Sequence, residues 1–319
     1  MKRFLLLSLF ISLFTAQAEE LPKIAITQIV EHPALNEIYQ GFVEELKTQG
    51  YENGKSVELI YKVAQGDMSI NTQIAQQFSG LKPKLILAIS TPSAQAVISA
   101  THKQIPILFT GVSDPLAAGL VKNLEKPSEM VSGVKESQAI DENIDLILKL
   151  LPNAKKIGTV FNPSEDNSNS TNAELSTKLK AKNMELVEAA AKNTGEVLEA
   201  TKSLVGKVDA ILISQDNTAV AAFPAIAQVA NQSKIPLFTF DTFSVVNGAA
   251  IGLGYEEMEL GRVSARQAIK ILKGEKVGEF PVESPKVLRL VINPKAAQMQ
   301  SLNIPEEIIK TANEIINEQ

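Results

Sequence analysis

The sequence predicts an α/β protein of two doubly wound lobes, each built on a mostly parallel sheet. Wholly apolar runs such as Leu85–Ile89 and Pro106–Phe109 have the pattern of parallel strands covered on both faces. Segments with apolar residues at helical spacing separate them, so strand and helix alternate. The alternation starts afresh beyond residue 135, in a chain longer than one core usually holds.

Residues 1–18 read as a secretory signal peptide. Lys2 and Arg3 precede the apolar run Phe4–Phe14, and Ala16-Gln17-Ala18 is a small-x-small cleavage site before Glu19. The run is too short for a membrane span, and no other uninterrupted run approaches that length. The chain has no cysteine, which excludes disulfides and a lipid anchor on the mature terminus. A soluble protein free in the periplasm is expected. Cleavage would leave 319 − 18 = 301 residues and a formal charge of 29 − 36 = −7. Mild acidity without a basic run argues against nucleic acid or an anionic membrane as partner.

Lys23–Ile29 is the first strand. In the helix opened by Pro33, residues Leu35, Ile38, Phe42, Val43 and Leu46 make one apolar stripe, and Gly50 ends it. Val57–Val63 is the second strand, and Ile70, Ile74 and Phe78 mark the second helix. Leu85–Ile89 follows, then a helix opened by Thr91-Pro92-Ser93 with Thr91 as N-cap, then the strand Pro106–Phe109. Met130–Val134 is a fifth extended segment. Beyond it, helices are read at Ile140–Leu151, Asn167–Lys182, Thr194–Leu204 and Ala219–Ser233. Strands are read at Lys156–Phe161, Glu185–Ala190, Val208–Ser214 and Pro236–Phe240. Asn247–Gly254, glycine-rich without being polar, reads as a passage between lobes, and Phe280–Pro285 as another. A long helix, Glu257–Lys273, lies between them. Residues 286–319 add a strand and a terminal helix.

Candidate binding residues gather at strand ends, where open α/β sheets take their ligands. In the first lobe these are Gln28 and His32 after the first strand, Ser90, Thr91 and Ser93 after the third, and Val112 and Asp114 after the fourth. Free N–H groups at the Thr91–Ser93 helix start suit an anion such as a carboxylate, and Asp114 suits a cation. In the second lobe they are Asn162, Glu165, Asn167 and Ser168, then Asp216 and Asn217, then Asp241 and Phe243. An aromatic face such as Phe243 stacks well on a ligand ring. Plainer roles are open to several of them. Thr-Pro-Ser is an ordinary helix start, Asp-Pro an ordinary turn, and Asn167, Ser168 and Asp216 are all good helix caps.

Catalysis finds little support. Gly111-Val112-Ser113-Asp114-Pro115 lacks the G-x-S-x-G elbow, and the two histidines, His32 and His102, form no metal-binding pair. No G-x-G-x-x-G or G-K-[ST] loop appears for a nucleotide. Neither an enzyme nor a cofactor is expected.

Several short motifs, in order and spacing, resemble the periplasmic substrate-binding proteins of ABC importers, in the subgroup similar to the tryptophan and aromatic amino-acid binders. They are His32-Pro33-Ala34-Leu35, Gly50-Tyr51…Gly54-Lys55, Ala64-Gln65-Gly66-Asp67, Ser90-Thr91-Pro92-Ser93-Ala94 and Gly111-Val112-Ser113-Asp114-Pro115. Further on come Asn162-Pro163-Ser164-Glu165-Asp166-Asn167-Ser168, Gln215-Asp216-Asn217 and Gly252-Leu253-Gly254-Tyr255. The resemblance covers essentially the whole mature chain. It implies a type I-like periplasmic binding fold with three crossings, one lobe of residues 19–135 plus 253–283 and one of 136–252 plus 284–319. It further implies a monomer that closes by a hinge on a zwitterionic, amino-acid-like ligand and delivers it to an ABC permease in the inner membrane. Thr91 and Ser93 would lie near the ligand carboxylate, and Asp114 or Asp216 near the amine. Asp241-Thr242-Phe243 departs from the subgroup's pattern. The alternatives are a ligand sensor for a membrane receptor, or an importer component for another small molecule such as a nucleoside or sugar.

Overall fold

A computed structural model describes residues 20–316, and the signal-peptide reading lies outside them. The first sheet begins with β1 (Lys23–Gln28), followed by α1 (Pro33–Thr48), β2 (Glu58–Val63), α2 (Met68–Leu81), β3 (Leu85–Ile89), α3 (Thr91–Thr101), β4 (Ile107–Val112) and β5 (Val131–Lys135). Its strand order is β2-β1-β3-β4-β5, and every pairing is parallel. Every residue of β3 is buried, as an apolar strand covered by helices on both faces requires.

The second unit runs α4 (Ile140–Leu150), β6 (Lys156–Phe161), α5 (Asp166–Ala181), β7 (Glu185–Ala190), α6 (Val197–Lys202), β8 (Ala210–Ile213), α7 (Asn217–Ala221), α8 (Phe223–Ser233), β9 (Leu237–Thr239) and β10 (Ile251–Tyr255). Then come α9 (Glu257–Leu272), β11 (Leu288–Ile292), α10 (Pro294–Met299), α11 (Glu306–Ile309) and β12 (Glu314–Ile315). Seven strands order as β12-β11-β10-β9-β8-β6-β7, and β10 with β11 is the antiparallel pair. The protein is thus two α/β lobes with mostly parallel sheets and helices on both sides, as predicted.

The chain passes between the sheets three times. It leaves β5 for α4, and it leaves β10 for α9, which packs on α1, β4 and β5. It returns from Phe280, buried in the first core, to β11 through Glu283, whose backbone bridges Val134. The apolar interior of α9 joins the first core through Leu260, Ala265 and Ala268, while Leu290 and Ile292 of β11 join the second.

Three local readings are corrected. Asn247–Gly254 is no passage between lobes, because Ile251–Tyr255 is a strand inside the second sheet and the crossing follows it. A Cβ on Gly252 or Gly254 would lie 2.4 Å from the carbonyl oxygen of Asp241 or 1.7 Å from that of Phe240, so close strand approach explains these glycines. The helix read over Ala219–Ser233 is two, α7 and α8, broken at Ala222 where Pro224 cannot donate to the ladder. The terminal helix is replaced by α10, α11 and the short strand β12.

Candidate functional site

The carboxyl ends of both sheets meet across a cleft, and some of the polar residues that follow the strands line it. From the first lobe, His32 caps α1, its Nδ1 accepting the Leu35 N–H at 3.4 Å. The imidazole is buried, and burial holds its pKa down to about 4, so it is neutral at pH 7. Ser90, not Thr91, occupies the N-cap of α3, with φ of 87°. That is a costly backbone for a serine, and such strain gathers at sites where geometry is functional. Its hydroxyl lies 3.3 Å from that of Ser93, and the Thr91 Oγ1 is buried with no hydrogen-bond partner.

In the second lobe, Asp216 is a hub. Its carboxylate accepts the Asn162 N–H (2.7 Å), the Ser168 hydroxyl (2.6 Å) and the Ala219 N–H (2.7 Å), so it caps α7 and ties the ends of β6 and β8 together. Burial, and then the charge of Glu165, push its pKa up. Glu165 accepts from the Asn217 side chain (2.5 Å), the Thr218 hydroxyl (2.9 Å) and the Asn167 side chain (3.2 Å). Asp241 accepts from the Thr239 hydroxyl (2.7 Å) and from the Ser244 N–H (2.6 Å) and hydroxyl (2.8 Å). Phe243 is half-buried on a short turn that lies against α1 of the opposite lobe.

Two cavities open between the lobes. The inner one is lined by His32, Ala34, Leu35, Ile38, Gly111, Ser113, Glu136, Asn167, Gln215 and Asn217. Its volume, about 10 Å³, is room for one water. The outer one, about 400 Å³, is walled by Ile29, Val30, Met68 and Pro92 on one side and by Asn162, Glu165, Lys192 and Thr218 on the other, and Asn217 lines both. A larger cavity, about 720 Å³, lies at the opposite edge of the first sheet near Lys84, Pro106 and Met130, and no candidate residue lines it.

The structure thus brings His32, Asn167 and Asn217 to the inner pocket, and Asn162, Glu165 and Asn217 to the outer one. Others are committed elsewhere. Gln28 is buried in a network with Tyr61, Val30 and Asn36. Asp114 folds its carboxylate onto the N–H groups of Leu116 and Ala117, both at 3.0 Å, and lines neither cavity. Val112 is a fully buried residue of β4.

Glu136, Gln138 and Gln215 are the residues missed. Glu136 follows β5, is 5 % exposed, and accepts from the Gln215 side chain, which in turn accepts from Gln138. Gln138 also donates to the Ser113 hydroxyl at 3.3 Å, so this chain of amides stitches the first crossing to both lobes. Burial, and then the charge of Asp241, push the Glu136 pKa up to about 8. The signal available in the sequence was a lone acid directly after a buried strand.

The model of the ABC transporter substrate binding protein family matches residues 23–316. The chain belongs to that family. A protein of Clostridioides difficile (strain R20291) named tyrosine-binding protein is 41 % identical over 283 residues, covering 88 % of this chain and 82 % of that one. Among solved structures, an ABC domain from Streptococcus pneumonia in complex with L-Trp matches at a TM-score of 0.89 and 32 % identity, over 93 % of this chain and all of that one. A ligand-free, open substrate-binding protein with adhesive properties from Clostridium difficile matches at 0.70 and 36 % identity, over the same shares. This family member is therefore the solute-binding part of an ABC transporter. Among its described residues, no helix is long and apolar enough to cross a membrane.

Proposed function

We propose that this protein captures an aromatic L-amino acid in the periplasm, between a lobe of residues 19–135 plus 256–283 and one of 136–255 plus 284–319, and hands it to an ABC permease. The observation that carries this is the cleft, where the start of α3 reaches the outer cavity through Pro92 and faces polar and acidic side chains of the opposite lobe. The N terminus of α3, with its strained Ser90, Ser93 hydroxyl and unpartnered Thr91 hydroxyl, suits the ligand carboxylate. Leu35 and Ile38 offer apolar contact inside the pocket, and Phe243, on the turn against α1, would supply an aromatic face as the lobes part. Asn162, Glu165, Asn167 and Asn217 line the opposite wall of the two cavities, and Ser168, Asp216 and Asp241 are buried behind it.

Two comparisons support the reading. The relative named for tyrosine and the structure holding L-Trp both point to an aromatic amino acid. The chain also fits the L-Trp complex better than the open, ligand-free structure, although the latter is more similar in sequence. Hinge closure accounts for that difference, and a pocket too tight for an amino acid is what lobes shut without one would leave.

Thermal melting of protein recovered from the periplasmic fraction, its intact mass beginning at Glu19, provides the test. L-tyrosine, L-tryptophan and L-phenylalanine should raise the melting temperature, by about 2.7 kcal/mol of added stability at a hundredfold excess over Kd. A rise with sugars or nucleosides and none with any amino acid overturns the proposal.

A further inference from the structure

Three buried carboxylates, each from a different part of the chain, are close enough for Asp241 to act electrostatically on the other two. Glu136 stands on the first crossing, Glu257 opens α9 on the second, and Asp241 follows β9 in the second lobe. Glu136 is the one acid among the residues lining the inner pocket. Both oxygens of the Glu257 carboxylate, 1 % exposed, lack any hydrogen-bond partner. Among the described residues, no lysine or arginine contributes to the field at Glu136 or Glu257. Glu136 feels burial, the charge of Asp241 and the Gln215 amide, and Glu257 feels burial, the charges of Asp241, Glu136 and the Glu37 carboxylate on α1, and its own backbone. His32, which feels the Asp241 charge, is held neutral by burial and supplies no cation at pH 7.

Buried carboxylates without a cation stay protonated, because the charged form cannot be solvated. Asp241 already has three donors on its oxygens. Glu136 has the Gln215 amide alone on its carboxylate and faces the pocket.

We propose that Glu136 receives the ammonium group of the bound amino acid and gives up its own proton to solvent as it does so. The inference rests on the amino-acid reading above. The ligand brings in one positive charge as –NH3+, the Glu136 carboxyl ionises to meet it, and one proton leaves. Affinity therefore rises with pH until Glu136 is ionised in the free protein, and specificity for an α-amine comes from this residue rather than from Asp114.

Calorimetry with L-tyrosine and with 3-(4-hydroxyphenyl)propanoate, the same acid without its amine, tests this from pH 5.5 to 8 in buffers of different ionisation heat. Wild type should release about one proton per tyrosine near neutral pH. It should bind the amine-free acid roughly ten- to a hundredfold more weakly. In Glu136→Gln, proton release should vanish and the two ligands should bind within about threefold of each other, as loss of one charge-assisted contact implies. Wild type that binds tyrosine without releasing a proton overturns the inference, whether or not the variant folds. So does a variant that keeps the wild-type preference. Wild type that binds none of the aromatic amino acids overturns the earlier reading instead.

Discussion

At the scale of single residues, the cleft separates acids that build the site from acids free to act in it. Asp216 belongs to the first kind, since its three close donors include two backbone N–H groups that nothing else satisfies. Asp216→Ala should cost about 2–4 kcal/mol, as a lost helix cap plus unpaired buried donors. A lowered urea midpoint checks this. Asp114→Asn, by contrast, changes a turn outside both cavities and should leave tyrosine affinity within about threefold, the two being separable by calorimetry. Sequence alone could place Asp216 and Asp114 at strand ends but could not distinguish them. Both follow buried strands, and only the third dimension shows which carboxylate is saturated. Glu136 escaped notice for the same reason. Its importance comes from Asp241, a hundred residues away, and from the crossing that buries it. Asn167 and Asn217, which face the pocket, were legible because polar residues after apolar strands have few other reasons to cluster.

At the scale of elements, the alternation of apolar strands and striped helices was legible almost throughout, because buried parallel strands and amphipathic helices differ in period. What was not legible was the docking of α9 on α1, which joins segments over 200 residues apart. A Cβ on Gly41 would lie 2.2 Å from the Met258 carbonyl oxygen, and one on Gly261 would lie 2.0 Å from that of Ile38. These two helices touch through their backbones, and each glycine is set by a partner outside its own local pattern. Gly261→Ala should therefore destabilise the protein by at least about 1–3 kcal/mol, the usual range for overpacking. Gly80→Ala, in α2 with nothing within 4 Å, should be neutral or stabilising by up to about 1 kcal/mol. Equal melting temperatures for the two variants would contradict the close docking.

At the scale of the whole molecule, the closed arrangement is held partly by contacts that exist only when the lobes meet. The Gln95 side chain on α3 donates to the Asp166 carboxylate on α5 at 2.7 Å, across the mouth of the cleft. An interlobe hydrogen bond stabilises the closed form alone, so it adds to affinity without touching the ligand. Gln95→Ala should weaken tyrosine binding about two- to tenfold, the worth of one such bond, and scattering should show a larger open fraction. Unchanged affinity and compactness would remove this latch. The inner pocket, with room for one water, also has a kinetic meaning. If the lobes close as tightly around a ligand, the residence time of a captured molecule equals the waiting time for them to part. A membrane partner that prises them open would set the moment of release, and dilution alone would empty the protein slowly.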